Sequence, residues 1–306
     1  MTIHVVLAGA TGNLGPAILS ALSASTDPVF SITVFTRHDS PTTTETNIKT
    51  ISVDYTSLPS LTTTLRTLSP TPDAIISILP THPSAAAHQT TLIHAAVAAG
   101  IPRFIPSEFG SDLHNPLNRA APVYAGKVAA QELLMSLAAQ GKISYTVLYT
   151  GAFLDWGLRV GFPINVVRRT AVLHDGGERA YSTTTLGGVG KAVVAILRRE
   201  EETMDRVVRA AEAVLTLKGL LGMVMEVVGD EGWVVTEPDT TVEVEKASER
   251  IRQGVVDQET VMPFIYKAVW GEGHGGLFQE TDNALLGIEM LSEDGIKNII
   301  REVNNH

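Results

Sequence analysis

Along the first half of the chain, apolar positions come in short unbroken runs rather than in alternation. "IHVVLAG", "SITVFT", "DAIISIL", "RFIPS" and "YTVLYT" each read as a strand. A strand apolar on consecutive residues is covered on both faces, as in a parallel sheet. Between these runs lie stretches of helical character, "PAILSALSA", "LPSLTTTLRTLS", "HQTTLIHAAVAAG" and "VYAGKVAAQELLMSLAAQG". Strand and helix in repeated succession form the rhythm of βα units. The pattern predicts an α/β fold, a doubly wound parallel sheet of Rossmann type, over residues 1–150. Beyond that the rhythm loosens, and "VVRRTAVLHDG", "KAVVAILRREEETM", "LKGLLGMVMEVVG" and "GWVVTEP" mix strand and helix signals over shorter spans. Residues 151–306 are expected to form a smaller C-terminal α/β portion that binds substrate, with room for elements that return to the main sheet. The Thr-rich "SPTTTETN", residues 40–47, reads as a mobile surface loop.

The first apolar run ends abruptly in "VVLAGATGNLG", with Gly9, Gly12 and Gly15 spaced by three and a helix signal directly after. A strand ending in bare backbone before a helix lets a dinucleotide pyrophosphate approach the helix N-terminal amides, where the helix dipole favours its charge. The other reading is a structural turn with close helix packing. The second strand ends at Arg37, where an NAD site would carry an acid for the ribose hydroxyls. An arginine there offers a planar fork to a 2'-phosphate, which favours NADP, unless it is simply a solvated strand end. His38 and Lys49 are candidates for further positive charge nearby. Asp54 closes the third strand signal, where it serves either the adenine amino group or a turn.

Composition narrows the function classes. The chain has 306 residues, 44% of them hydrophobic and only 18% charged, which suits a compact, soluble fold. With 23 Lys plus Arg against 33 Asp plus Glu, the formal net charge of -10 repels a phosphate backbone and disfavours nucleic-acid binding. No segment approaches the roughly 18 consecutive apolar residues of a membrane span. The N-terminus runs straight into a strand pattern, so a cytoplasmic location is expected. The lack of cysteine excludes disulfides, thiolate catalysis and cysteine-ligated metals, and the nine histidines show no metal-ligand spacing, so no metal is expected.

"RFIPSEFGSD", residues 103–112, carries Ser107, Glu108 and Phe109 off a strand into a loop at the sheet's carboxyl end, where open α/β sheets bind ligands. Tyr124 and Lys127 follow on one helix face, three residues apart. Lys127 lies in an Ala-, Val- and Leu-rich helix, and desolvation brings an ammonium toward the range useful for proton transfer. A lysine snorkelling from an apolar helix is the alternative. Trp156 and Phe162 read either as stacking surfaces for a planar substrate or as core. Isolated His88 and His174 read as structural before they read as proton donors. Residues 198–206 read as a solvated helix end, and the glycines of 266–276 as a loop able to close over a ligand.

"GATGNLG", "HQTTLIHAAVAAGIPRFIPSEFGSD", "VYAGK" and "YTGAFLDW", in this order and spacing, resemble the isoflavone reductase-like and phenylcoumaran benzylic ether reductase-like branch of the NmrA-like family, atypical short-chain dehydrogenases/reductases. The resemblance is strong over residues 3–160 and loose beyond. It implies that Gly9, Thr11, Gly12, Asn13, Leu14 and Gly15 hold the NADP pyrophosphate, Arg37 the 2'-phosphate, and Ile78, Leu79 and Pro80 the adenosine and ribose. It further implies that Phe153 packs on the nicotinamide and that Lys127 is the general acid/base that also contacts the nicotinamide ribose. Classical short-chain dehydrogenases place lysine four residues after the catalytic tyrosine; Tyr124 precedes Lys127 by three, so the chemistry centres on the lysine.

The expected function is NADPH-dependent reduction of a small, oxygenated aromatic metabolite, a carbonyl, conjugated alkene or benzylic ether. Lys127 is the proton relay, Asp54 a further cofactor contact, and Ser107, Glu108, Phe109, Tyr124 and Trp156 the substrate-pocket candidates. Two alternatives stand beside it: a redox-sensing regulator that binds NADP without turnover, and a non-redox enzyme on the same fold.

Overall fold

The computed structural model of the chain describes residues 2–37, 48–80 and 83–305; His38 and the 40–47 loop lie outside them. Two units divide the chain, the first comprising Met1–Phe109, Pro122–Leu148 and Val189–Val208, the second Gly110–Ala121, Tyr149–Gly188 and Arg209–His306.

The first unit is built on β1 (Thr2–Ala8), α1 (Gly15–Ala24), β2 (Val29–Thr36), β3 (Ile48–Ser52), α2 (Leu58–Thr67), β4 (Ala74–Ser77), α3 (Pro83–Ala99), β5 (Arg103–Ile105) and β6 (Ser144–Tyr149). A helix, Ala125–Ala139, precedes β6. The sheet has seven strands in the order β3-β2-β1-β4-β5-β6, with Arg206–Arg209 beside β6. Strands β1 to β6 pair in parallel throughout. The unbroken apolar runs have the predicted cause: Val5, Val6 and Leu7 are wholly buried, because helices cover both faces of β1. On one face, Val6, Phe35, Ile75 and Phe104 of the sheet meet Leu61 and Leu65 of α2, Leu92 and Ile93 of α3, and Leu134 of the later helix.

Local chemistry sets the helix ends. Ser57 caps α2 by accepting from the Ser60 amide, and Pro59 in its first turn brings no surplus donor. Gly100, in the left-handed region at φ +77°, stops α3. Its amide donates to the Val97 carbonyl while the Ile101 amide donates back to Ala96, which closes the helix and turns the chain into β5.

Strand order reverses between β1 and β4, since β1 is flanked by β2 on one side and β4 on the other. A crevice forms at the carboxyl ends of such a pair, because the following segments leave toward opposite faces. Every candidate site residue of this unit that follows a strand is therefore delivered to one edge of the sheet.

The second unit holds two three-stranded sheets. In one, Tyr181–Thr184 lies between Ala213–Leu215 and Ala152–Phe153; in the other, Thr170–Val172 lies between Val234–Thr236 and Ile164–Asn165. Leu158, Ile164, Leu173, Leu221, Trp270, Ile300 and Val303 belong to its core. The glycines expected to open a loop at 266 take effect later. The helix Gln258–Trp270, started by a capping box between Asp257 and Thr260, runs through "YKAVW", and the positive φ angles begin at Gly273 and Gly275.

Candidate functional site

The three glycines answer to different demands. Gly9 sits at φ +99°, and a Cβ on it would lie 2.6 Å from the Ile78 carbonyl oxygen, so the approach of β4 to β1 requires a bare residue there. A Cβ on Gly15 would lie 2.2 Å from the Ala10 oxygen. Gly12 is different: its virtual Cβ meets only the Gly9 oxygen, at 3.6 Å, and otherwise faces open space. The protein's own packing gives no reason for glycine at 12, whereas a ligand lying on that backbone would. The helix behind it adds a second sign. Leu14, the N-cap of α1, makes no capping hydrogen bond through its side chain, and the first turn holds no acidic residue. The N-terminal amides of α1 lack the usual side-chain cap, and an anion such as a pyrophosphate fits that end. Thr11 and Asn13 are exposed beside it, while the Leu14 side chain is buried.

Ile78, Leu79 and Pro80 directly follow β4. The Ile78 amide donates to the Ala8 carbonyl at 2.7 Å, fixing this segment against the glycine loop. Arg37 stands exposed just beyond β2, and the Val53 amide bonds to the Thr36 carbonyl, so Asp54 is delivered to the same corner. Asp54 is already occupied: its Oδ1 accepts from the Thr56 hydroxyl at 2.6 Å and the Thr56 amide at 2.8 Å, which holds the carboxyl below its ordinary range. Lys49 does not reach this corner. It pairs with Thr33 while Ser52 pairs with Thr36, so it starts about 10 Å short of the strand's carboxyl end. His88 turns its ring to Tyr55, 6.1 Å between centroids, rather than to a proton-transfer site.

The segment after β5 is held rigidly. The Ser107 amide donates to Gln89 Oε1 at 2.8 Å, its hydroxyl to the Leu79 carbonyl at 2.8 Å, and the Phe109 amide to the Leu148 carbonyl at 3.0 Å. Phe109 adopts φ +34°, a strained value for a side-chain-bearing residue, and such strain persists only where the surroundings enforce it. Ser107, Glu108, Phe109 and Tyr124 are all buried. Lys127, in the first turn of its helix, donates from Nζ to the Glu108 carbonyl at 2.7 Å and lies 3.8 Å from Glu108 Oε2. Burial pushes the Lys127 ammonium below the usual lysine range, and the Glu108 carboxylate opposes that shift. A desolvated amine fixed by one strong bond is suited to holding and releasing a proton.

In the second unit, Phe153 and Trp156 are half-buried and meet edge to face, 6.4 Å between ring centroids. The aromatic row continues through Phe162 to Tyr266 and Trp270. His174 packs beside both Trp270, at 5.0 Å, and Tyr266, at 4.3 Å, which also meet each other at 6.2 Å, and its Nδ1 lies 3.1 Å from Glu243 Oε2. This unit also carries an open polar cleft of about 710 Å³, lined among others by Asp175, Arg179, Asp239, Lys267 and His274. Its charges are turned on one another, as in the Asp175–Arg179 pair at 2.8 Å.

Sequence reasoning passed over Gln89, which fixes Ser107, and Arg103, whose buried guanidinium donates to the Thr146 and Thr203 hydroxyls at 2.7 and 2.6 Å. Both left a signal: Gln89 is a polar residue on the helix face of Leu92, Ile93 and Ala96, and Arg103 a charge opening an apolar run. Among the described residues no cluster of His, Asp and Glu suits a metal ion, and no helix is long and apolar enough to cross a membrane.

Comparison with known proteins identifies the family and the fold. The model of the NmrA-like family matches residues 1–231. The chain is 31% identical over 302 residues to the oxidoreductase aprR of Aspergillus flavus, covering 97% of this chain and 98% of the relative. It is 29% identical over 309 residues to the oxidoreductase poxI of Penicillium oxalicum, covering 97% and 93%. In fold it is similar to the binary complex of leucoanthocyanidin reductase with NADPH from Vitis vinifera, with a TM-score of 0.73 at 15% identity over 99% of this chain and all of that one.

Proposed function

This chain belongs to the NmrA-like family, and we propose that it is an NADPH-dependent reductase of a small, oxygenated aromatic metabolite, with Lys127 as its proton donor. The observation that carries this reading is the Lys127 amine, desolvated on its helix and pinned 2.7 Å from the Glu108 carbonyl. A surface lysine has no need of such a seat. The oxidoreductase relatives over almost the whole chain and the fold of the NADPH-bound reductase support the reaction class.

NADPH, when bound, supplies the hydride. The chain's own residues do the rest. The bare backbone at Gly12 and the N-terminal amides of α1 receive the pyrophosphate. Arg37 takes the 2'-phosphate through its planar fork. Lys127 delivers its proton to the oxygen on which negative charge develops, whether that oxygen belongs to a carbonyl, an enolate or a departing benzylic ether. The half-buried rings of Phe153, Trp156 and Phe162 offer faces and edges to a planar molecule.

The test is NADPH oxidation by the purified protein across aromatic ketones, enones, quinones and benzylic ethers, with Lys127→Ala alongside. Turnover that vanishes in the variant is the expected result. Tight NADPH binding with no turnover on any compound would overturn the reductase in favour of a dinucleotide-sensing or non-redox role.

A further inference from the structure

Glu108 is buried more deeply than its chemistry permits without compensation. Its side chain is 1% exposed, against 18% for Lys127. A carboxylate so far from water is costly unless a positive charge stands beside it. Lys127 meets that need, with Nζ 3.8 Å from Oε2 and bonded to the carbonyl of the same residue. The carbonyl is not free to drift: the Glu108 amide donates to Pro106, Ser107 is fixed from both its amide and its hydroxyl, and Phe109 is clamped at positive φ.

We propose that Glu108 is the positioning residue of Lys127: its backbone carbonyl sets where the ammonium sits, and its buried carboxylate is the fixed counter-ion that keeps that ammonium protonated. Glu108 then acts through Lys127 rather than as a wall of the substrate pocket, and the proposal rests on Lys127 being the proton donor. On α3, His88 turns to Tyr55 and His94 is exposed; on the lysine's own helix Glu132 is exposed, and Tyr124 is buried at the helix start. Burial alone drives the amine toward its neutral form, and the Glu108 charge restrains that drift. Without the carboxylate, Lys127 loses its proton at lower pH.

The experiment measures Lys127 protonation directly, without any substrate. Trace acetylation with acetic anhydride across a pH series, read by peptide mass spectrometry, gives the titration midpoint of each lysine in wild type, Glu108→Gln and Glu108→Asp. The expected result is a Lys127 midpoint lower by about one pH unit in Glu108→Gln, a smaller fall in Glu108→Asp, and no change at exposed Lys218. An unchanged Lys127 midpoint in a folded Glu108→Gln overturns the proposal. Should Glu108→Gln fail to fold by circular dichroism, Glu108→Asp decides on the same criterion. Failure of both to fold makes Glu108 a structural residue and overturns it equally. With a compound that wild type reduces, the alkaline limb of kcat/KM moves down with the midpoint. A wild type that reduces nothing overturns the reductase reading while the labelling still judges Glu108; a static midpoint with active wild type removes Glu108 and leaves the reductase standing.

Discussion

Each unit sets a basic side chain against a glutamate, and burial pushes both cations toward their neutral forms. In the first, Lys127 is held by the Glu108 carbonyl and faces its carboxylate, with burial lowering the ammonium and the carboxylate opposing. In the second, His174 packs against Trp270 and Tyr266 with Glu243 at its edge, and burial drives the imidazole down to about 4. Glu243 is itself raised by burial. Desolvation acts in the same direction on both cations, so the starting point decides. A lysine begins at about 10.4 and a histidine at about 6.5, so the same penalty takes the histidine out of its charged form first. At pH 7 the His174 imidazole, at about 4, is neutral.

The largest effect that would break this contrast is on turnover. Lys127→Ala should lower kcat by at least ~100-fold, equivalent to ~3 kcal/mol of barrier, with NADPH affinity by fluorescence titration unchanged within a few-fold. Turnover at the wild-type rate would remove the proton relay. The next concerns stability. Because the folded His174 sits at about 4 against 6.5 unfolded, the unfolded chain binds a proton between those values that the folded protein refuses. Stability is full above that window and falls as pH drops through it, by up to about 3 kcal/mol. His174→Phe should keep the stack, flatten the fall in Tm between pH 7 and 5, and leave turnover at neutral pH within two-fold; an equally steep fall in the variant would show that His174 is not the group responsible. Arg37→Ala sharpens the contrast from the cofactor side, weakening NADPH by about ten-fold while NADH changes little, if the guanidinium meets a 2'-phosphate. Equal weakening of both would remove that assignment. Asp54→Ala should have the smallest effect, under about two-fold on NADPH affinity, because the carboxylate is already engaged by Thr56. A larger loss would restore Asp54 as an adenine contact.

The sheet was legible because β1, β2, β4, β5 and β6 are buried on both faces and so carry continuous apolar runs, and because glycines follow β1 at its carboxyl end. The doubled role of those glycines was not legible: Gly9 and Gly15 are dictated by the backbones of Ile78 and Ala10, Gly12 by neither. Lys127 stood out as a lone charge in an apolar helix, but its partner lies nineteen residues earlier, a pairing that periodicity does not encode. The stack around His174 draws on residues far along the chain, at 243, 266 and 270. Long-range closure of this kind leaves no local pattern. The helix runs on to Trp270 because Gly271, Gly273 and Gly275 break the chain only after it.

The return of residues 189–208 to the first sheet has a practical consequence. A fragment cut at residue 150 would look like a self-sufficient nucleotide-binding cassette, yet it would lack the strand Arg206–Arg209 and expose the whole flank of β6 as a template for self-association. It would also strip Arg103 of the Thr203 hydroxyl, stranding a buried guanidinium. The cofactor half is therefore not exchangeable by a single crossover. Grafting it onto another substrate module requires at least three junctions, at 148/149 and on each side of the returning segment.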